Sequence, residues 1–298
     1  QYWANPQTRA TLVKYCVQDT DLLRRIEDKT GYLELHQTVC EACGVQPDSA
    51  SLKPTVFVDM FMLRLGQSRG TRFPTKYYAD ELETSKYTGA FVMQPTESGI
   101  IENVHVCDFA SLYPSVMITW NLSPDTKDSQ GTCISPGTGL RTTTERVGII
   151  CYALQTLLDL RSQWTKIRAS LPPGTPESKD AERRTNAYKM VANSFYGVVG
   201  TPYSRFYDRD VVESTTLNGQ WLLKQTLAHV TSKSWSARVV YGDTDSLFVT
   251  GVTDAEFEVF VDECNTQLYP GLTRDHGCAT NSVKLAYEKA FSRLVFTA

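Results

Sequence analysis

Apolar positions recur at helical spacing through several long tracts of the chain and alternate through shorter ones. From Thr8 to about Cys43, residues Leu12, Tyr15, Cys16, Leu22, Leu23 and Ile26 keep a helical period, which predicts helices. Residues 66–86 are polar and loop-like. Phe91-Val92-Met93 and Val104-His105-Val106 read as strands, with a turn around Glu97-Ser98-Gly99 between them. Residues 124–142, rich in Pro, Gly, Ser and Thr, read as a loop. Ile150, Leu154, Leu157, Leu158 and Leu160 then give an apolar side to a helix from about Val147 to Ile167. Pro172-Pro173-Gly174 breaks it, and a second helix is predicted from about Pro176 to Tyr196. Two such helices joined by a Pro/Gly turn make a hairpin roughly 30 Å long. Further helices are expected from about Asp210 to Thr231 and over 254–268, and two more strands over Val283–Phe296. Strands interleaved with helices predict an α+β fold, an antiparallel sheet packed by helices with a helical hairpin inserted.

The polar positions that interrupt this pattern carry the chemistry. In Tyr241-Gly242-Asp243-Thr244-Asp245-Ser246, two carboxylates stand two residues apart between β-type runs. Gly242-Asp243 is a turn dipeptide, so a β-hairpin is predicted. Residues two apart on a strand share a face, so Asp243 and Asp245 would aim at one point. A shared divalent cation relieves their repulsion, and hard oxygen ligands favour Mg²⁺; a merely solvated Asp-x-Asp turn is the plainer alternative. A third carboxylate, Asp108, ends the run Val104-His105-Val106-Cys107-Asp108, before Ser111-Leu112-Tyr113-Pro114-Ser115 turns the chain into a helix. Free N–H groups at that helix start suit a phosphate; the plainer alternative is that Asp108 is a helix cap. Lys189, Asn193 and Tyr196 fall at i, i+4 and i+7 on one helix face, suited to a phosphate, a sugar and a base. The same tract is also an amphipathic helix that Gly197 could end as its C′ residue.

Composition changes this picture little. An apolar fraction of 41 % is ordinary for a globular chain. No stretch is apolar and long enough to span a bilayer, and no signal-peptide pattern opens the chain, so no membrane partner is expected. The chain opens on Gln1 rather than Met and stops inside an apolar run, as a fragment of a longer protein would. A net charge of −3 does not announce a nucleic-acid binder, but between Arg161 and Lys189 basic residues outnumber the acids Glu177, Asp180 and Glu182. Cys40-Glu41-Ala42-Cys43 has no second pair at zinc-ligand spacing, so the cysteines are expected to be free thiols.

Asp-x-x-Ser-Leu-Tyr-Pro-Ser at 108–115, Lys-x-x-x-Asn-Ser-x-Tyr-Gly at 189–197 and Tyr-Gly-Asp-Thr-Asp-Ser at 241–246 stand in this order. The three blocks resemble family B DNA polymerases, with the likeness running from about Tyr87 to Ala298. The resemblance implies residues 1–86 as the end of an exonuclease-like domain and linker. It implies 87–146 as the first part of a palm, 147–198 as fingers, and 199–298 as the second part of the palm, cut before a thumb. Tyr87-Thr88-Gly89-Ala90 resembles the family's template-contacting linker motif, with Ala90 in place of its second glycine. Tyr15 and Asp19 resemble the last motif of a proofreading exonuclease, whose other carboxylates would lie before Gln1.

The resemblance further implies nucleotidyl transfer from a dNTP to a primer 3′-hydroxyl with two Mg²⁺ ions, which Mn²⁺ can replace. Asp108, Asp245 and the backbone carbonyl of Phe109 would be the metal ligands, with Asp243 an electrostatic partner. Arg161, Lys189 and the N–H groups of Ser111 and Leu112 would hold the triphosphate. Tyr113 would stack under the sugar and exclude a 2′-hydroxyl, Asn193 would support that pocket, and Tyr196 and Gly197 would sit near the nascent base pair. Glu288 matches a family acid whose usual companion is here Ala286. The family's second fingers lysine falls on Thr165, leaving Lys166 one step off the face. Primer-template DNA and dNTPs are the expected partners, with a sliding clamp or other replication factors engaging regions outside this chain. An intracellular location is expected: the cytoplasm of a prokaryotic host, or a nucleus or viral replication site if eukaryotic. A catalytically inactive scaffold is the alternative from another class, disfavoured because the acidic and basic residues are all present. Leu122-Ser123-Pro124-Asp125-Thr126 resembles archaeal and viral relatives more than eukaryotic ones.

Overall fold

The computed structural model describes residues 3–48, 53–75, 88–233 and 235–296. Helices α1 (Pro6–Thr30), α2 (Tyr32–Cys43) and α3 (Pro54–Ser68) come first. Asn5 caps α1, its Oδ1 accepting from the Gln7 N–H, and Gly31 and Gly44 end α1 and α2 in left-handed backbone. Helix α3 lies where no distinct element was expected; its buried Phe57, Val58 and Met62 join the core beside Val39 and Cys43. The apolar stripe of α1 does form on a helix, yet none of that helix's residues is buried.

The sheet follows. Strands β1 (Val92–Met93) and β2 (Gly99–Phe109) lead to helix α4 (Leu112–Thr119). Residues 124–142 are less irregular than their composition predicts: β3 (Cys133–Ile134) and β4 (Arg141–Thr142) pair as a small ribbon. Helices α5 (Ile149–Ser170) and α6 (Pro176–Val199) form the expected hairpin. Gly174 turns it at φ +84, and Thr175 Oγ1 caps α6 by accepting from the Ser178 N–H. Gly197 does not end α6; the helix runs two residues further because Val198 and Val199 still bury against the core, and Gly200 is the cap.

Helix α7 (Arg209–Ser232) returns the chain to hairpin strands β5 (Arg238–Asp243) and β6 (Ser246–Thr250). The predicted helix over 254–268 becomes α8 (Asp254–Glu263), a wider π-type turn over Cys264–Leu268, and α9 (Tyr269–Asp275). Pro270 lacks the N–H that would donate to the Thr266 carbonyl, so the regular ladder cannot continue there. One long strand, β7 (Leu285–Phe296), replaces the two expected near the end.

Among the described residues, β1-β5-β6-β2-β7 form one antiparallel sheet in that order. Strands β1 and β2, consecutive in sequence, are separated in the sheet by the β5–β6 hairpin. Val104, His105, Val106 and Cys107 are all buried, so the middle of β2 is covered on both faces rather than on alternate residues. Helix α4 packs against α5, α6 and α7, burying Val116 and Met117. The fold is α+β, as the interleaved pattern predicts.

Candidate active site

Three segments meet at the end of β2. Asp108 pairs across the sheet with Ser246, next to the turn between β5 and β6. The Phe109 N–H donates to the Asp245 carbonyl at 2.8 Å, tying the strand end to that turn. This corrects the predicted hairpin: Asp243 pairs with Ser246, so the turn residues are Thr244 and Asp245, not Gly242 and Asp243. Thr244 takes the left-handed conformation at φ +52, and its N–H donates to the Phe91 carbonyl. Asp245 therefore leaves the strand, and the same-face argument that joined it to Asp243 fails. Asp245 instead joins Asp108 in lining a cleft of about 600 Å³. Asp243 does not line that cleft; its Oδ1 accepts from Thr244 Oγ1 at 2.8 Å and its Oδ2 from the Tyr241 hydroxyl at 3.3 Å.

Past Phe109 the chain enters α4 through Ser111, whose φ of +53 is unusual for a residue with a side chain. The first N–H groups of α4, which have no partner within a helix, belong to the cleft-lining segment Asp108–Pro114. Arg161 on α5 donates from Nη1 to Ser111 Oγ at 3.1 Å, which holds its guanidinium over the helix start. Lys189 and Asn193 on α6 also line the cleft. Three other members of the basic run are paired elsewhere: Arg168 with Glu182, Arg183 with Glu34, and Arg184 with Asp180. Lys166 is exposed and does not line the cleft, as its one-residue offset on α5 implies.

Glu288 reaches the same cleft by a device that the sequence hides. Opposite Val106 stands Lys289, and opposite Cys107 stands Tyr287, so Glu288 is an extra residue in a β-bulge. Bulges re-aim a side chain without ending the sheet. Behind the bulge, the Tyr287 hydroxyl donates to Asp254 Oδ1 at 2.8 Å and lies 3.0 Å from His105 Nδ1.

The electrostatics follow from this crowding. Asp108 has a carboxyl raised to about 6, first by burial, then by Asp245 and Glu288, with Lys189 opposing the shift. The Asp245 carboxyl is also raised, chiefly by burial, with Asp243 and Glu288 adding to it. Asp108 Oδ1 is buried and has no hydrogen-bond partner among the described residues. Such an orphaned anionic oxygen is costly unless a cation meets it. No group of three or more His, Cys, Asp or Glu side chains suited to a metal converges among the described residues. The donors at hand are the two carboxylates and neighbouring backbone carbonyls, an all-oxygen set that fits a hard dication.

One wall of the cleft carries a stacked pair. Tyr113 and Tyr196 lie with ring centroids 4.3 Å apart and planes 30° from parallel. Tyr196 contributes through this stack, since it does not itself line the cleft; its hydroxyl lies 2.7 Å from Thr216 Oγ1 on α7. Gly219, also on α7, sits under Tyr113: a Cβ there would come 3.4 Å from Tyr113 Cε1. Thr216 and Gly219 escaped the sequence analysis, although glycine beside buried Asn218 in mid-helix is a poor helix-forming pair that signals a packing demand.

The remaining predicted residues lie apart from the cleft. Gly197 is exposed on α6, and the Gly89 carbonyl accepts from Gln220 Nε2 at 2.6 Å. Tyr15 and Asp19 are exposed on α1. Tyr87 falls outside the described residues. Cys40 and Cys43 are buried in the core. No helix among the described residues is long and apolar enough to cross a membrane.

Comparison with known proteins bears on the family and the fold. Residues 53–297 match DNA polymerase family B. The chain is 34 % identical over 255 residues to a DNA polymerase of Thermococcus gorgonarius, covering 80 % of this chain and 30 % of that one. It is 29 % identical over 257 residues to DNA polymerase 2 of Aeropyrum pernix, covering 84 % and 31 %. The structure of the family B DNA polymerase from Pyrobaculum calidifontis superposes with a TM-score of 0.74 at 28 % identity, over 100 % of this chain and 37 % of that one. The chain thus spans about a third of the length of these relatives. With its matched span and its sheet, helices and cleft in this order, the chain belongs to DNA polymerase family B.

Proposed function

We propose that this chain carries the palm and fingers of a DNA-directed DNA polymerase, and that the cleft is its nucleotidyl-transfer site. The observation that carries the reading is the buried, unpartnered Asp108 Oδ1 beside Asp245, facing Arg161, Lys189 and the start of α4. Acidic and basic groups on opposite sides of one cleft suit a dNTP, whose triphosphate is anionic and whose reacting oxygens need a cation. In the reaction the primer 3′-oxygen bonds to the α-phosphorus and pyrophosphate leaves.

Asp108, Asp245 and the Phe109 carbonyl would hold two Mg²⁺ ions, which when bound would supply Lewis-acid polarisation of the phosphate and a lowered pKa of the attacking hydroxyl. The chain's own groups do the rest. Arg161, Lys189 and the N–H groups of Ser111 and Leu112 bind the β- and γ-phosphates and offset charge on the leaving pyrophosphate. Tyr113 forms the floor under the sugar and leaves no room for a 2′-hydroxyl, while Tyr196 buttresses it and Asn193 edges the pocket. Asp243 keeps the field at Asp245 negative, and Glu288 adds to it from the bulge. The segment 147–198 acts as fingers, delivering Arg161 and Lys189 together. Primer-template DNA and dNTPs are the proposed partners, and proofreading would depend on parts of the protein beyond Tyr15 and Asp19.

The test is primer extension by a complete polymerase carrying this sequence. Asp245→Ala should abolish incorporation while duplex binding survives. Full extension by that variant would refute the reading.

A further inference from the structure

All eight cysteines are free thiols, and two of them meet. Cys133 on β3 and Cys278 just after α9 are 145 residues apart in sequence, yet their Sγ atoms are 3.4 Å apart. Backbone contacts enforce the approach. The Ile134 N–H donates to the His276 carbonyl at 2.9 Å, and the Cys278 N–H donates to the Thr273 carbonyl at 3.0 Å. Gly277, at φ +72, lies so close to the Thr132 carbonyl that any Cβ would collide with it. Only glycine lets the two segments run together here.

The pair is also reachable and chemically distinct. Cys278 is partly exposed, and a cleft of about 220 Å³, bordered by Thr144, Arg146 and Thr280, extends to the buried Cys133. The two thiols share one hydrogen bond in which either sulfur could donate; with Cys278 as the donor, the Cys133 thiol lies below its ordinary range, with Thr142 assisting and burial opposing. Burial instead pushes the thiols of Cys40, Cys43, Cys107, Cys151 and Cys264 up. Cys16 is exposed on α1.

We propose that Cys133 and Cys278 are an oxidation site, a dithiol that a small peroxide converts to a disulfide and a thiol reductant restores. The Cys133 thiolate attacks one peroxide oxygen; the O–O bond breaks, and the departing oxygen takes a proton and leaves as water. Cys133 is then a sulfenic acid. The Cys278 sulfur displaces its hydroxyl: the S–S bond forms, the S–O bond breaks, and the hydroxide carries off the Cys278 proton as a second water. Two thiols lose two electrons, and one hydrogen peroxide is reduced to two waters. Reaching a bond of about 2.05 Å requires an approach of roughly 1.4 Å, which the partly exposed Cys278 segment can supply. The product staples the β3–β4 ribbon to the segment entering β7, the strand that carries Glu288.

The complete protein is treated with hydrogen peroxide, its remaining thiols are blocked, and its peptides are mapped without reduction. A linked Cys133–Cys278 peptide should be the main cross-link. The melting temperature should rise by about 5 °C, as expected for closing a long loop, and dithiothreitol should reverse both changes. Cys278→Ser, at a partly exposed position that leaves Cys133 and the core in place, should give neither the cross-link nor the rise. A different dominant pair, sulfinic acid without a cross-link, or the same rise in Cys278→Ser would overturn the assignment.

Discussion

Tyr113, in the first turn of α4, stacks on Tyr196, near the end of α6, with ring centroids 4.3 Å apart. The stack joins the element after the Asp108 strand to the helix bearing Lys189 and Asn193, so α4 and α6 are tied together beside the cleft. Aromatic pairs of this kind contribute about 0.5–1.5 kcal/mol beyond the area they bury. If Tyr113 is the floor under the sugar, Tyr113→Val opens space for a 2′-hydroxyl. The ratio of dNTP to rNTP incorporation should fall by about 10- to 100-fold, the range over which one small group is discriminated in an apolar pocket. Unchanged discrimination would remove Tyr113 from the gate.

Thr216 supports the same pair from below. Thr216→Val deletes the hydroxyl that meets the Tyr196 hydroxyl and keeps the side-chain shape. The loss should cost about 1 kcal/mol of stability and shift sugar discrimination in the same direction as Tyr113→Val, by less. Tyr196→Phe should reproduce the effect, because it removes the other half of the hydrogen bond. Normal discrimination in both variants would mean that the stack alone positions Tyr113.

Arg161 should show in substrate binding rather than in folding. Its guanidinium is held by Ser111 at the surface of the cleft rather than in the core. Arg161→Ala should raise the KM for dNTP by about 10-fold or more, as expected when a charged hydrogen-bonding group is lost, with the melting temperature nearly unchanged. Lys166→Ala should leave KM as it was. A larger KM effect at Lys166 than at Arg161 would reverse the assignment of the phosphate grip.

The raised Asp108 carboxyl makes a pH-dependent prediction for the metal-free protein. Its folded-state value of about 6 lies above the ordinary carboxylate value, through burial and then the repulsion of Asp245 and Glu288. The folded state therefore binds a proton more tightly than the unfolded chain, and stability falls as pH rises through the window from about 4 to 6. Above that window the ionised side chain opposes folding. Asp108→Asn should raise the melting temperature at pH 8, and the gain should shrink toward pH 5, where wild-type Asp108 is protonated. A gain independent of pH would mean that charge is not the cause.

Much of this site was legible in local sequence because its parts are contiguous: a strand end, a helix start and a helix stripe each carry their own signature. Asp108, Ser111, Lys189 and Asn193 carry such signatures and line the cleft, whereas Arg161 on α5 was singled out only by the family resemblance. Asp245 does line the cleft, but not by the strand alternation that the motif suggests: a two-residue turn presents the side chain. That turn depends on register with β6 and on the Phe91 carbonyl, neither of which is encoded in the six-residue motif itself. Glu288 was similarly obscure, because a bulge exists only relative to a partner strand distant in sequence, here where Val106 stands opposite Lys289 and Cys107 opposite Tyr287. Thr216 and Gly219 act through packing on distant helices, which periodicity cannot report. The break at Pro270 was readable in principle, as a missing donor inside an otherwise helical run.

The most direct test of the two-carboxylate site is anomalous diffraction from crystals of the polymerase grown with primer-template, a non-hydrolysable dNTP and Mn²⁺. The account predicts manganese peaks at about 2.0–2.3 Å from carboxylate oxygens of both Asp108 and Asp245, lost in the Asp108→Asn, Asp245→Asn double variant. Manganese bound with no ligand from Asp108 or Asp245, or peaks that persist unchanged in the double variant, would contradict it.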